Sequence, residues 1–195
     1  MVKTKLNRSG LLLRMVFGFA VGCATLLLAM VFFPKMGMAQ KVVEVKLIAS
    51  PDGKVYFDPI GIRVEPGDIV RWIQTSGYHS VTAYHPENDN HELRIPDNAT
   101  PWDSGILMGQ YPAPGSVFEH KFTAEGVYDY FCRPHEQAGM VGRIIVGRPL
   151  DGPGTQPFNY APGRHWKPVP EVARKQFPSI EEILAKGIVR SPGAN

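Results

Sequence analysis

An all-β fold, a Greek-key sandwich of two sheets, is predicted for the middle of this chain by three features. Beyond Gln40, short stretches rich in β-branched and aromatic residues follow one another, several alternate apolar with polar, and turn-forming residues separate them. The alternation is plain in Val42-Val43-Glu44-Val45-Lys46-Leu47 and in Ile69-Val70-Arg71-Trp72-Ile73, which read as strands with one buried face. Strands are expected over residues 42–49, 55–58, 62–64, 69–74, 81–84, 117–123, 127–132 and 141–146. Pro51-Asp52-Gly53, Glu65-Pro66-Gly67-Asp68 and Ala124-Glu125-Gly126 supply turns between them. The stretch 85–115 is long for a connection, and Trp102 and Leu107 are expected to pin it to the body.

The chain divides into three parts: 1–39, 40–148 and 149–195. Residues 15–33 run without a charge behind Lys3, Lys5, Arg8 and Arg14. A helix of that length nearly crosses a hydrocarbon layer of about 30 Å, and retained positive charge sends the rest of the chain outward. We read an N-terminal membrane anchor that leaves the domain extracytoplasmic, on the periplasmic side of the inner membrane. The alternative is a signal segment cleaved after Gly37-Met38-Ala39, which would release a soluble periplasmic protein.

Residues 149–195 form a Pro-rich C-terminal extension, and the prolines argue against its joining a sheet. One short helix is expected there. Ser179 caps it, Glu182 completes a capping box and Gly187 stops it, with Ile180, Ile183 and Leu184 on one face. Such a helix must pack on the sandwich or on a partner.

Charge is uneven: both ends are basic, while residues 40–150 carry a net −4. A nucleic-acid-binding surface is therefore excluded for the folded middle. The two cysteines, Cys23 and Cys132, lie in different parts and cannot sensibly pair. An unpaired thiol in an oxidising compartment is a liability unless something occupies it, and a metal would do so.

The chemistry lies in Cys132-Arg133-Pro134-His135-Glu136-Gln137-Ala138-Gly139-Met140, a C-x2-H-x4-M spacing in the loop between two predicted strands. His79 stands upstream at the start of another. Two imidazoles and a thiolate in a trigonal arrangement, with a weak axial thioether, form the blue-copper electron-transfer site. His79, Cys132, His135 and Met140 are thus the expected ligands of one copper. The thiolate donates strongly to Cu(II), the imidazoles suit both oxidation states, and the soft thioether favours Cu(I). A buried Cys or Met at a strand end is ordinarily core, but the joint spacing is far more specific. The expected function is one-electron transfer between a redox-protein donor and acceptor, a cytochrome or a membrane oxidoreductase complex, with no small-molecule substrate. His135 is expected at an exposed edge ringed by apolar residues, with Arg133 beside it to select acidic partner surfaces. His85 and His91, with Glu87, Asp89 or Glu92, offer a second metal site, although solvated loop histidines are much commoner. His120 reads as a surface residue, and Tyr78, Tyr84 and Phe131 as packing.

The loop CRPHEQAGM strongly resembles the copper loop of plastocyanin-like cupredoxins in ligand spacing and in the Pro before the second His. GYHSVTAYH before a long acidic loop containing PWDSG is similar to the halocyanin and plastocyanin-like branch of prokaryotes. The resemblance covers about residues 42–148. It implies a cupredoxin sandwich, a mononuclear type 1 copper and electron shuttling between respiratory or photosynthetic partners. Ser80 departs from the Asn that commonly follows the first ligand His and ties the ligand loops together. The departure implies a looser site or an altered potential.

Two other functions compete. A copper enzyme needs further copper centres, and the neighbours of Cys132 are Phe131 and Arg133 rather than a wiring His. A chaperone-like or accessory subunit of a membrane redox enzyme needs an exchangeable thiol. Deleting the tail is expected to leave the copper site intact and to weaken partner association.

Overall fold

The computed structural model describes residues 39–109, 111–113 and 115–194. The predicted anchor over 15–33, its basic flank and Cys23 lie outside them. Among the described residues no helix is long and apolar enough to cross a membrane. From Gln40 onward the chain forms one compact unit.

The described residues form eleven strands: β1 Val42–Ala49, β2 Val55–Asp58, β3 Gly61–Val64, β4 Ile69–Gln74, β5 Tyr78–His79, β6 Thr82–Ala83, β7 Leu107–Met108, β8 Val117–Lys121, β9 Gly126–Phe131, β10 Val141–Val146 and β11 Ile188–Val189. One sheet has the order β2-β1-β4-β8, a second β11-β3-β10-β9-β6, and β5 pairs with β7 alone. β1 and β4 run parallel, as do β3 and β10. The chain passes repeatedly between the two main sheets, as a sandwich requires. Val43, Val45 and Leu47 point inward while Glu44 and Lys46 point out, so the alternation seen in the sequence is the pleat itself. Trp72 from the first sheet meets Tyr130 from the second edge-on at 5.5 Å, at the centre of the core.

The second sheet departs from simple alternation, because every residue of β9 and β10 is buried. Its outer face is roofed by the long loop and the tail. Asp129, fully buried on β9, accepts from Arg143 Nε at 2.7 Å and from Arg94 Nε at 3.2 Å. The same guanidinium groups donate to the tail carbonyls of Gly154, Gln156 and Pro178 at 3.1, 2.7 and 3.0 Å. Arg94 also lies over the Phe158 ring and Arg143 over Phe177, at 4.4 and 5.0 Å. A buried carboxylate is tolerated only when paired and fully hydrogen-bonded, and here the pairing fastens the tail.

The tail does join a sheet, contrary to the expectation from its prolines. β11 pairs antiparallel with β3, Ile188 opposite Ile62 and Val189 opposite Gly61. Ile188 and Val189 lie between Gly187 and Arg190, so both keep their backbone N–H groups and no proline interrupts the pair. Two helices precede it, α1 Glu171–Arg174 and α2 Ile180–Lys186. α2 has the predicted Ser179 cap, whose hydroxyl oxygen accepts from Glu182 N at 3.0 Å, and it ends at Gly187 with φ 71°. The capping box is only half made, since the Glu182 carboxylate pairs with Lys186 at 2.7 Å. Ile183 is fully buried, whereas Leu184 stays exposed.

The strand expected over 81–84 is shorter, β6 at Thr82–Ala83, and His79 lies on a separate strand, β5, outside those bounds. β5 pairs with β7 from the long loop, and β6 joins the second sheet beside β9. Trp102 and Leu107 are buried, pinning that loop as anticipated.

Candidate metal centre

Register explains how three of the expected ligands meet. β9 and β10 pair antiparallel with Phe131 opposite Val141, so Cys132 and Met140 flank the mouth of the connection. Cys132 N donates to Met140 O at 3.0 Å, His135 N to Cys132 O at 3.0 Å and Met140 N to His135 O at 3.1 Å. The intervening residues, Arg133–Ala138, form a 3-10 turn that is kinked at His135, where φ is −125°. Gly139 closes the turn with φ 84°, and a side chain there would press on Gln176 of the tail. His79 arrives on β5, whose pairing with β7 turns Tyr78 outward and His79 inward.

His79 Nδ1, His135 Nδ1 and Cys132 Sγ converge. The two nitrogens are 3.2 Å apart, and the sulfur lies 3.6 Å from His79 and 3.4 Å from His135. Among the described residues this is the one cluster of three or more His, Cys, Asp or Glu donors close enough to share an ion. Metal–ligand bonds of about 2 Å spread near 120° would set their donor atoms roughly 3.5 Å apart. The donors therefore fit a single metal ion. The His79 Nε2–H donates to Ser76 O at 3.0 Å, which leaves the Nδ1 lone pair facing the cluster. Met140 is fully buried and belongs to the same core cluster as Cys132.

Burial dominates the electrostatics. It pushes His79 down to about 4, helped by the neighbouring His135, and lowers His135 as well. Both imidazoles are thus neutral donors at ordinary pH. Burial pushes the Cys132 thiol up to about 11, against hydrogen bonds from the Ser80 and His135 backbone. Thiolate formation there needs the positive charge of a bound metal.

Ser80 corrects the expectation of a loosened site. Its Oγ accepts from Arg133 N at 2.8 Å, and its own N–H donates to Cys132 Sγ at 3.4 Å. The Ser80 hydroxyl then donates to Thr82 Oγ1 at 3.0 Å, and Thr82 donates to Asp103 Oδ1 at 2.9 Å. The shorter side chain ties the two ligand loops together by itself.

Other expectations change. Arg133 is paired with Asp89 at 3.0 Å and Asp103 at 2.8 Å, so its charge is met within the chain rather than left for a partner. His91 is buried, with Nδ1 donating to Asn88 O at 2.6 Å and Nε2 facing Glu136, so it assembles no second metal cluster with His85. His120 is half-buried, stacked on Trp102 at 4.7 Å, and burial lowers its pKa. The sequence reading missed Thr82, Asp103 and Glu136, and the Ser76 carbonyl carries no sequence signal at all. The tail also touches the ligand loop, through Val172 and Gln176 at Gly139, so it is not independent of the site.

A two-sheet sandwich holding a thiol and two imidazoles at one point defines a mononuclear copper protein of the electron-transfer class. The pattern of the copper-binding plastocyanin/azurin family matches residues 43–147. Plastocyanin from Scenedesmus fuscus is 33% identical over 105 residues, which is 53% of this chain and 98% of that protein. Pseudoazurin from Methylorubrum extorquens is 30% identical over 138 residues, 70% of this chain and 82% of that protein. The crystal structure of pseudoazurin from Methylobacterium extorquens AM1 covers 74% of this chain and 98% of its own, with TM-score 0.52 and 24% identity, which shows the fold. The chain belongs to the plastocyanin/azurin family of copper-binding proteins. Membership brings a single type 1 copper as cofactor and electron transfer as the class of function.

Proposed function

We propose that this protein shuttles single electrons between extracytoplasmic redox proteins, with copper held by His79, Cys132, His135 and Met140. The observation that carries the assignment is the convergence of three donor atoms within 3.6 Å of one another. The bound metal supplies a one-electron Cu(II)/Cu(I) couple.

The chain's own residues hold, shield and expose. His79, Cys132 and Met140 are fully buried, which excludes water, and His135 alone of the four reaches toward solvent. The Tyr78 ring lies 5.2 Å from the His135 ring. Tyr78, Met108 and Ile106, on and beside the β5–β7 ribbon, are 55%, 65% and 49% exposed. An exposed apolar cluster at the one accessible ligand suits brief docking of a partner protein. Arg133, already paired with Asp89 and Asp103, makes the adjoining rim charge-compensated.

The charge-free run at 15–33 supports tethering at a membrane and service as the relay subunit of a respiratory or photosynthetic complex, with a cytochrome or membrane oxidoreductase as partner. A chaperone-like accessory role is less well supported, because copper handover uses an accessible thiol and Cys132 is wholly enclosed.

The test adds Cu(II) to the purified protein and records its visible and paramagnetic spectra. An intense thiolate-to-copper band with reversible one-electron reduction is expected, and Cys132→Ser should abolish the band. A colourless oxidised protein, or an unchanged Cys132→Ser spectrum, refutes the assignment.

A further inference from the structure

We propose that Glu136 is a positioning residue for the copper loop, latched by Tyr84 and His91 so that the turn between His135 and Met140 keeps one shape. The inference rests on the assignment of those two residues as ligands.

Glu136 lies inside the four-residue spacer between His135 and Met140, yet its side chain points inward and the residue is only 9% exposed. One carboxylate oxygen accepts a hydrogen bond and the other faces an imidazole. Tyr84 Oη donates to Oε1 at 2.8 Å, and His91 Nε2 lies 3.3 Å from Oε2. The opposite nitrogen of His91, Nδ1, donates to Asn88 O at 2.6 Å. Asn88 Nδ2 in turn donates to Ala83 O and Trp102 O, at 2.8 and 3.1 Å. The carboxylate is thereby fastened, through residues remote in sequence, to β6 and the body of the sandwich.

The surroundings are dry. Tyr84 and His91 each lie 4.5 Å from the Phe131 ring, and Val169 and Ala173 of the tail cover the cluster. Hydrogen bonds to a carboxylate are stronger in such a setting, and a broken one leaves a buried group unsatisfied. The backbone transmits the hold. Gly139 N donates to Glu136 O at 2.9 Å, directly before Met140, whose own N–H donates to His135 O. A shift of Glu136 moves both of its ligand neighbours.

The experiment compares copper-loaded wild type, Glu136→Gln, Glu136→Ala and Tyr84→Phe by reduction potential and by the thiolate-to-copper bands. Amide exchange at Gly139 and Met140 is followed in the metal-free proteins. Glu136→Ala should shift the potential, redistribute the bands and speed exchange at both amides by about tenfold or more. Glu136→Gln should stay closer to wild type than Glu136→Ala in all three, since its amide oxygen still accepts from Tyr84 Oη. Tyr84→Phe should fall between. A folded Glu136→Ala protein with wild-type values overturns the proposal, and so does a Glu136→Gln protein as perturbed as Glu136→Ala. If Glu136→Ala does not fold, Tyr84→Phe decides, and unchanged values there overturn it. A wild type lacking the thiolate band would instead refute the copper assignment, while the amide exchange still tests the latch.

Discussion

On one flank of the copper loop Tyr78, Met108 and Ile106 stand exposed beside His135, whereas on the other Tyr84, Phe131 and Glu136 lie under the long loop and the tail. The open flank tolerates uncovered apolar surface and has few polar ties. The roofed flank contains the buried Asp129 with Arg94 and Arg143, the Tyr84–Glu136–His91 cluster, and tail aromatics stacked on guanidinium groups. The contrast separates exchange from rigidity. A carrier needs one accessible ligand edge for its partners, and it needs everything behind that edge to hold still when the electron moves.

The contrast breaks most sharply if the roof is removed. Truncation after Arg148 strips the acceptors from Arg94 and Arg143 and uncovers Phe131, Tyr84 and Val141. Loss of these carbonyl acceptors and of the apolar cover should cost at least about 4 kcal/mol, a fall in Tm of roughly 10 °C, read by calorimetry. The thiolate band should change as well, because Val172 and Gln176 abut Gly139. An unaltered Tm would mean that the tail is only an appendage.

A smaller effect is expected where the two flanks meet. Ser80→Ala leaves the Arg133 N–H without its acceptor and unties the ligand loops. Chemical denaturation should show a loss of roughly 1–3 kcal/mol, with a shifted thiolate band. Equal stability and an identical spectrum would show that Ser80 is a bystander.

The smallest effect on stability belongs to the open flank. Met108→Ser with Ile106→Ser should leave stability within about 0.5 kcal/mol and the potential unchanged. Stopped-flow electron exchange with a redox-protein partner should nevertheless slow by about tenfold. Wild-type rates would remove this face from docking.

Much of the fold was legible because periodicity and turn chemistry are local. β1, β2, β4 and β10 have the bounds that their alternation and flanking turns predict. The helix at Ser179–Gly187 follows from its cap and stop residues. β11 was missed because the prolines around it said nothing of two unencumbered residues finding the edge of β3. β5 is absent from the strands the pattern predicts because its partner, β7, is drawn from a loop that carries no strand pattern of its own.

The sequence alone marked the candidate donors of the loop, because C-x2-H-x4-M places a thiol, an imidazole and a thioether in one short connection. It also determined the inward and outward faces of the long strands. The tertiary structure alone decided that Ser80 ties the loops, that Arg133 is already paired, and that the tail roofs β9 and β10 while Glu136 is latched from behind. These are contacts between polar side chains dozens of residues apart, and their partners are set by how the sheets close, which no local spacing encodes.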